Sequence, residues 1–410
     1  MSTINLQWTQ WKNGEVRLPD SKSWWNRYYI VRALSGQPLQ EPKIYQADDV
    51  HRMHDALTED GAERNVGGAG TGYRFMTSFL ALKAMETGKS FRLDGNEQMR
   101  GRPIRGLVEP LQFLGAKIEY LGKAGYPPLL IHPSNIQGGR LQWNNQESSQ
   151  FISSLMMIAP YLQNGLDLRW TGPLVSVSYI DLTQEIMEGA GAQIERDKNK
   201  LTIKPTGYTS NFDLRPQADW SSAAFWLSAL MLRGRGSVTL KSLHPNTLQG
   251  DERLLHIFKS WGLQATDTQS GLHVALLDRS LPDRLDLDLS DAPDLVPTVA
   301  ATCVGLRVAG RIKGIGHLRF KESNRLEALS AELSKWGAAV EIGSDRLQWG
   351  SFVRPEEDIV HETYGDHRMA MAFAPLSQVQ AIRIKDPEVV SKSYPLFWEE
   401  GRTLGLNLLQ

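Results

Sequence analysis

The 410-residue chain has one cysteine, Cys303. A lone thiol excludes an intramolecular disulfide and a cysteine-based zinc cluster, and it fits a reducing compartment. Cys303 lies in the apolar run "PTVAATCVGLRVAG", so it reads as a core thiol rather than a nucleophile. The chain also lacks an excess charge of either sign: 45 Lys and Arg stand against 46 Asp and Glu. That balance gives no pull toward nucleic acid or a membrane surface, so any anion site must be a local cluster of cations. No apolar run reaches the ~18 residues of a membrane span. The start, "MSTINLQWTQW", lacks the cationic and apolar regions of a signal peptide. The expectation is a cytoplasmic protein without membrane or nucleic-acid partners. Low-complexity segments and long Pro/Ser linkers are missing too, so composition does not mark a domain boundary, although the length suits two domains.

What is present is a repeat. "VEPLQFLGAKIEYL" has an amphipathic helix pattern, then Gly115, then alternating residues. The same order surrounds Gly191, Gly262 and Gly337, and weaker copies surround Gly61 and Gly405. The intervals between successive glycines are 54, 76, 71, 75 and 68 residues. A helix that buries an i, i+3, i+4 face can stop at a glycine of positive φ, and period-2 alternation then predicts a strand. The intervals exceed those of a solenoid and suggest six copies of a small α/β subdomain.

The polar clusters fall in turns before helical patterns. "PDSKSWWNRYYI" sets Lys22, Ser23 and Arg27 among aromatics. "GGAGTGYR" is a glycine-rich loop, containing Gly70, whose N–H groups suit an anion, though it lacks the Lys-Ser/Thr ending of a P-loop. "RGRPIRGL" places Arg102 and Arg105 at a bend made by Pro103. Ser148, Ser149 and Gln150 precede an apolar helix, where Ser-Ser alone would be an ordinary N-cap. "LSDAPDLVP" holds Asp294, "RFKESNRLEAL" holds Lys321, Glu322 and Arg325, and "YGDHRMAMAF" holds Asp366, His367 and Arg368. Lys392 sits in a Ser-flanked turn. Cations at helix starts oppose the helix dipole, so negative groups belong nearby. No second His or carboxylate at ligand spacing supports a metal site at His367. Together the cations suit a substrate set carrying phosphate and carboxylate groups, with Asp294 and Glu322 available for proton transfer.

These clusters, in this order, resemble the 5-enolpyruvylshikimate-3-phosphate synthase family of enolpyruvyl transferases. "PDSKSWWNR" resembles the family's PGSKSxxNR, and "GGAGTGYR" its NAGTxxR loop. "SSQF", "SVSYIDLT", "ADWSSAAFWLSA", "QGDERL", "KESNRL", "YGDHRMAMAF" and "SKSYPLFW" follow in family order, from about Pro19 to Pro395. The resemblance implies an α/β fold: a two-domain inside-out α/β barrel of six βαβαββ subdomain repeats, three per domain, with pseudo-threefold symmetry. Residues 1–20 and 219–410 would form one discontinuous domain, residues 21–218 an inserted one, with the active site in the cleft. It implies a transferase that moves the enolpyruvyl group of phosphoenolpyruvate to the 5-hydroxyl of shikimate 3-phosphate through a tetrahedral intermediate. It implies no metal and no organic cofactor, and a monomer.

Residue by residue, the resemblance puts Ser23, Arg27, Ser148, Ser149, Gln150, Ser176, Tyr179, Asp294, His317 and Lys321 around shikimate 3-phosphate. It puts Lys22, Gly70, Arg102, Gln150, Arg325, Arg368 and Lys392 around phosphoenolpyruvate. Lys22, Asp294 and Glu322 would be catalytic. The chain departs from the family pattern at Gly68, where Asn is usual, at Phe75, at Asp20, where Gly is usual, and at His317, where Asn is usual. A protonated imidazole at His317 could substitute for the Asn, with pH dependence. Retention of Gly70 implies inhibition by glyphosate. Two rivals share the scaffold: the sister enzyme acting on UDP-N-acetylglucosamine, which commonly carries a loop cysteine, and a catalytically silent relative.

Overall fold

The computed structural model describes residues 2–143, 148–172 and 174–409. All six glycines that end the repeated helix pattern hold positive φ, from 76° at Gly337 to 111° at Gly115. The left-handed turn stops each helix, and the next residues are free to extend. Strands Lys117–Tyr120, Ile194–Asp197, Gln264–Thr268, Ala339–Ile342 and Leu406–Leu409 follow five of them.

Those five repeats each build a four-stranded sheet with one topology. Gly139–Trp143 lies parallel to Leu166–Trp170, which pairs antiparallel with Lys200–Ile203, which pairs antiparallel with Ile194–Asp197. The sheet containing Leu406–Leu409 keeps this order by taking its central strand, Thr3–Trp8, from the start of the chain. Gly14–Arg17 likewise pairs in parallel with Gly236–Lys241, far along the sequence.

In these five repeats the segment leaving the hairpin returns over the glycine turn. Gln137, Thr209, Ser280, Val353 and Lys12 donate backbone N–H groups to the carbonyls of Leu114, Ala190, Trp261, Gly337 and Leu404, at 2.8–3.0 Å. A Cβ on Gly115, Gly262, Gly337 or Gly405 would lie 2.1–2.5 Å from a backbone carbonyl oxygen. Glycine is therefore required twice there, for its φ and for the close approach.

The sixth repeat is incomplete. Gly61 has φ 101°, yet a Cβ there would meet nothing within 4 Å. The strand after it, Glu63–Asn65, pairs with Phe91–Asp94 as the edge of the next repeat's sheet. Only residues 62–66 separate Gly61 from Gly67, too few for a hairpin. The helices Lys22–Leu34 and Asp48–Thr58 are present without a sheet of their own among the described residues. The α/β barrel architecture stands, with five full βαβαββ repeats and one truncated repeat.

The chain divides into two compact units, residues 1–21, 45–47 and 217–410, and residues 22–44 and 48–216. In each, the most apolar helices lie innermost. Helix Trp220–Arg233 buries nearly every residue and packs against the equally apolar Val296–Gly305, with Ser228 and Thr302 hydrogen-bonded between them. In the other unit Gly70–Thr87 packs on Ser149–Ile158, with Ser78 bonded to Ser154. Helices that are apolar all round must be covered on every side, and the sheets supply the outer layer. Cys303 is wholly buried in Val296–Gly305, and burial pushes its thiol pKa far up, as a core thiol requires.

The aromatics of "SWWNRYYI" are packing groups. Trp24 stacks on Tyr28 at 4.7 Å, Trp25 meets Tyr28 edge-on at 5.6 Å, and Phe212 meets Tyr28 edge-on at 6.0 Å. Asp20, unexplained by the sequence, pairs with Ala218 in an isolated antiparallel bridge, and its carboxylate accepts the side-chain amide of Gln46. The first unit's two outgoing strands are thus clamped side by side, with Ser21 N–H on the Gln217 carbonyl and Asp219 N–H on that of Pro19.

Candidate active site

In the unit containing the termini, the turns preceding three helices converge. Arg325 is the first residue of helix Arg325–Ser334, and Asp366 is the N-cap of His367–Phe373, accepting the Arg368 N–H at 2.9 Å. Asp294 lies in the short helical turn Pro293–Leu295 that enters Val296–Gly305. The Arg325 guanidinium, 1% exposed, donates to Asp366 Oδ2 at 2.7 Å, Glu322 Oε2 at 2.8 Å and Asp294 Oδ1 at 3.0 Å. Arg368 reaches the other oxygen of Asp294 at 2.8 Å and the Ser221 hydroxyl at 3.4 Å. Ser221 in turn donates to Asp251. The negative groups that the cationic helix starts required are these acids.

Burial favours the neutral form of Asp294, but Arg368, Lys321 and Arg325 outweigh it and hold the carboxyl far below its usual range. Asp251 goes the other way: burial and then the Asp294 charge push it up to about 7, against the opposing effect of Arg368. Two nearby carboxyls with pKa values driven apart are the arrangement that one site needs to hold both a base and an acid. For Arg325, burial works against the charge, and Asp366, Glu322 and Asp294 more than restore it.

His317 lies in the turn Gly316–Phe320. Its Nε2 is buried with no hydrogen-bond partner among the described residues. Burial, then Lys321, lowers its pKa to about 4. The protein's own groups therefore favour the neutral imidazole near pH 7. Lys392 ends the helical segment Pro387–Lys392 in the same unit.

The second unit carries the other predicted residues. Lys22 opens helix Lys22–Leu34 and pairs with Asp49 at 2.9 Å. Arg27 is 1% exposed and donates to Thr183 Oγ1 at 2.7 Å, the Ser23 carbonyl at 2.7 Å, the Tyr179 carbonyl at 3.1 Å and Ser153 Oγ at 3.3 Å. Its guanidinium also lies over the rings of Phe75 and Tyr179, at 5.2 and 5.7 Å. Burial lowers its pKa to about 10 despite Tyr179. Ser148 caps helix Ser149–Ile158 by accepting the Gln150 N–H, and the Gln150 amide donates to Thr71 at 3.0 Å. Ser176 takes φ 54° at the start of Val177–Gly189, the helix that carries Tyr179.

The glycine-rich loop enters helix Gly70–Thr87 at Gly70 itself. A Cβ on Gly70 would stand 2.2 Å from Arg102 Nη1 and 2.8 Å from Arg74 Nη1. Glycine at 70 is thus what lets two guanidinium groups lie against the loop. The three arginines around Pro103 divide: Arg100 binds Asp94 at 2.7 Å, Arg105 stands near Glu109, and Arg102 alone reaches Gly70.

Sequence reasoning did not assign roles to Asp366, Asp251, Asp49 or Thr71. Thr71, Asp251 and Asp366 lie inside the polar motifs, and the opposed helix dipoles are the available signal for Asp366. Among the described residues no group of three or more His, Cys, Asp or Glu side chains could hold a metal ion. No described helix is long and apolar enough to cross a membrane.

Known proteins resemble this chain along nearly its whole length. Residues 58–400 match the family described as EPSP synthase (3-phosphoshikimate 1-carboxyvinyltransferase). A 3-phosphoshikimate 1-carboxyvinyltransferase of Bacteroides fragilis is 38% identical over 398 residues, covering 96% of this chain and 95% of the relative. One from Nitrosomonas europaea is 32% identical and covers 98% of both chains. Among solved structures, an EPSP synthase from Acinetobacter baumannii superposes with a TM-score of 0.75 at 18% identity, covering both chains fully. The enolpyruvyl transferase NikO from Streptomyces tendae superposes with a TM-score of 0.72 at 14% identity, covering 99% of this chain and 98% of that one. At such identities these two speak for the fold, whereas the family match and the full-length relatives speak for descent: this chain belongs to the EPSP synthase family.

Proposed function

We infer that this chain transfers the enolpyruvyl group of phosphoenolpyruvate to the 5-hydroxyl of shikimate 3-phosphate, releasing phosphate. The observation that carries this reading is Asp294, an ionised carboxylate held between two arginines within an otherwise buried polar cluster. In the forward reaction the 5-hydroxyl adds to C2 of phosphoenolpyruvate while its methylene carbon takes up a proton. Elimination then returns a proton and expels phosphate. Asp294 and Glu322, both bonded to Arg325, are the carboxylates that move these protons.

Lys22, Gly70, Arg102, Arg325, Arg368 and Lys392 serve phosphoenolpyruvate. Arg27, Ser23, Ser148, Ser149, Ser176 and Tyr179 serve shikimate 3-phosphate, with Lys321 and neutral His317, and Gln150 serves both. A neutral Nε2–H at His317 can donate to a phosphate oxygen as the family's Asn amide does. Cations screen two polyanions that repel each other, and preorganised donors are worth most where charge develops. The protein is read as acting as a monomer, as the family resemblance implies.

A phosphate-release assay with shikimate 3-phosphate and phosphoenolpyruvate tests the reading. Release requiring both substrates is expected, and Lys22→Met or Glu322→Ala should lower turnover by roughly a hundredfold or more. Release with UDP-N-acetylglucosamine instead, or binding by calorimetry without release, would replace this reading with one of the two rivals.

A further inference from the structure

Behind the Arg325 cluster lies a second network, buried at Glu332, Trp336 and His361 and exposed at Tyr364. Glu332 sits two turns after Arg325 on the same helix and is fully buried. Its Oε2 accepts from His361 Nδ1 and from Lys335 Nζ, each at 2.8 Å. Its Oε1 accepts from the Tyr364 hydroxyl at 2.8 Å. Lys335 also donates to the Val360 carbonyl, and Trp336 donates its indole N–H to His361 Nε2 at 3.1 Å. An indole N–H is only a donor, so Nε2 is the acceptor and the proton sits on Nδ1, facing Glu332.

The network ends on a strained loop. Tyr364 has φ 55° and Gly365 φ 65°. A bulky residue in the left-handed region persists only where its surroundings hold it. Two residues later Asp366 receives Arg325, and Arg368 reaches Asp294. The Arg325 helix is thus joined to the 360–368 segment at both ends, by Arg325–Asp366 at its start and by Glu332 and Lys335 at its finish. Two attachments fix a helix against sliding and rotation in a way that one does not.

We propose that Glu332 and Tyr364 are positioning residues: the Tyr364–Glu332 hydrogen bond holds the left-handed turn that sets Asp366 and Arg368 against Arg325 and Asp294. Glu332, with no exposed surface, cannot touch a substrate and acts only through this loop. The kinetic part of the test rests on the reading of Arg325 and Arg368 as phosphoenolpyruvate-binding residues, and the exchange part does not.

The test is Tyr364→Phe, which removes one oxygen, with Glu332→Gln as a second, fully buried variant. Amide hydrogen exchange without substrates reads the Asp366 and Arg368 N–H groups, which bond to the Thr363 carbonyl and the Asp366 carboxylate. Exchange there should accelerate roughly tenfold in Tyr364→Phe while helix Trp220–Arg233 keeps its protection. In the same variant KM for phosphoenolpyruvate should rise about fivefold or more, with KM for shikimate 3-phosphate within about twofold. Unchanged exchange overturns the proposal whatever the kinetics. Faster exchange with unchanged kinetics in an active enzyme also overturns it, reducing the network to a structural role. If wild type has no activity on these substrates, the functional reading fails, and the exchange result still decides whether the bond holds the turn. Glu332→Gln, where it folds, should change the same amides and the same KM.

Discussion

Two arginines, each 1% exposed, are buried in opposite ways. Arg325 is surrounded by Asp366, Glu322 and Asp294, and its charge is more than matched. Arg27 is met by hydroxyls, backbone carbonyls and aromatic faces, and among the described residues its hydrogen bonds bring it no carboxylate. Their pKa values follow: burial is overcome at Arg325 and prevails at Arg27. A guanidinium solvated by neutral dipoles keeps its positive charge for a ligand, whereas one matched by acids spends its charge on holding those acids in place. The Arg27 cluster therefore offers an anion a charge that no acid offsets, whereas Arg325 orders three carboxylates around the place where, on the reading above, it also meets phosphoenolpyruvate.

The sharpest way to break this comparison is to remove each charge in turn. Arg325→Met strands three carboxylates and should destabilise the fold by about 3–5 kcal/mol in urea titration. Acid should partly rescue it, because protonation discharges the stranded groups. Arg27→Met leaves only neutral acceptors and should cost less, roughly 1–3 kcal/mol, with no acid rescue. Equal losses, or rescue of both, would mean that the two environments are energetically alike.

A smaller effect is expected at the glycine loop of the Arg27 unit. Gly70→Ala forces Arg102 away, and KM for phosphoenolpyruvate should rise about tenfold, equivalent to about 1.4 kcal/mol. An unchanged KM would show that the close approach of Arg102 to Gly70 is not used. The smallest effect concerns Asp251, whose pKa is raised by burial and then by the charge of Asp294. Its pKa of about 7 lies above the ordinary 3.8, so between those values the folded state holds a proton that the unfolded state has released. That contribution to stability is present at low pH and lost as pH rises through 7. Asp251→Asn should accordingly lose less thermal stability than wild type between pH 6 and pH 8. Parallel melting curves across that range would remove the assignment.

Much of this was legible in the sequence because it depends on local rules. Six helix–glycine–strand signals were read, and all six glycines take positive φ. The incomplete copy was visible as the shortest interval, 54 residues, but spacing alone did not say which element had been lost. Two motif cations, Arg325 and Arg368, do converge, because their helix starts are stacked by the inner helices. The partners were hidden. Thr183 lies 156 residues from Arg27, and Asp366 lies 41 from Arg325. Nothing in local periodicity ranks one distant acid or hydroxyl above another. The neutral state of His317 was hidden for a related reason, since burial and a neighbouring lysine decide it rather than residue type.

The turn at Gly61 differs from its five counterparts in having no chain laid across it. A substitution there meets only the strain of its φ, whereas the same change at Gly405 drives a side chain into the Gln10 carbonyl. Among the described residues, the repeat that ends at Gly61 is the one without a hairpin of its own, so a hairpin added there replaces no strand of that repeat. For anyone grafting a peptide tag, a fluorescent reporter or a missing subdomain into this chain, residues 59–62 are the port of entry.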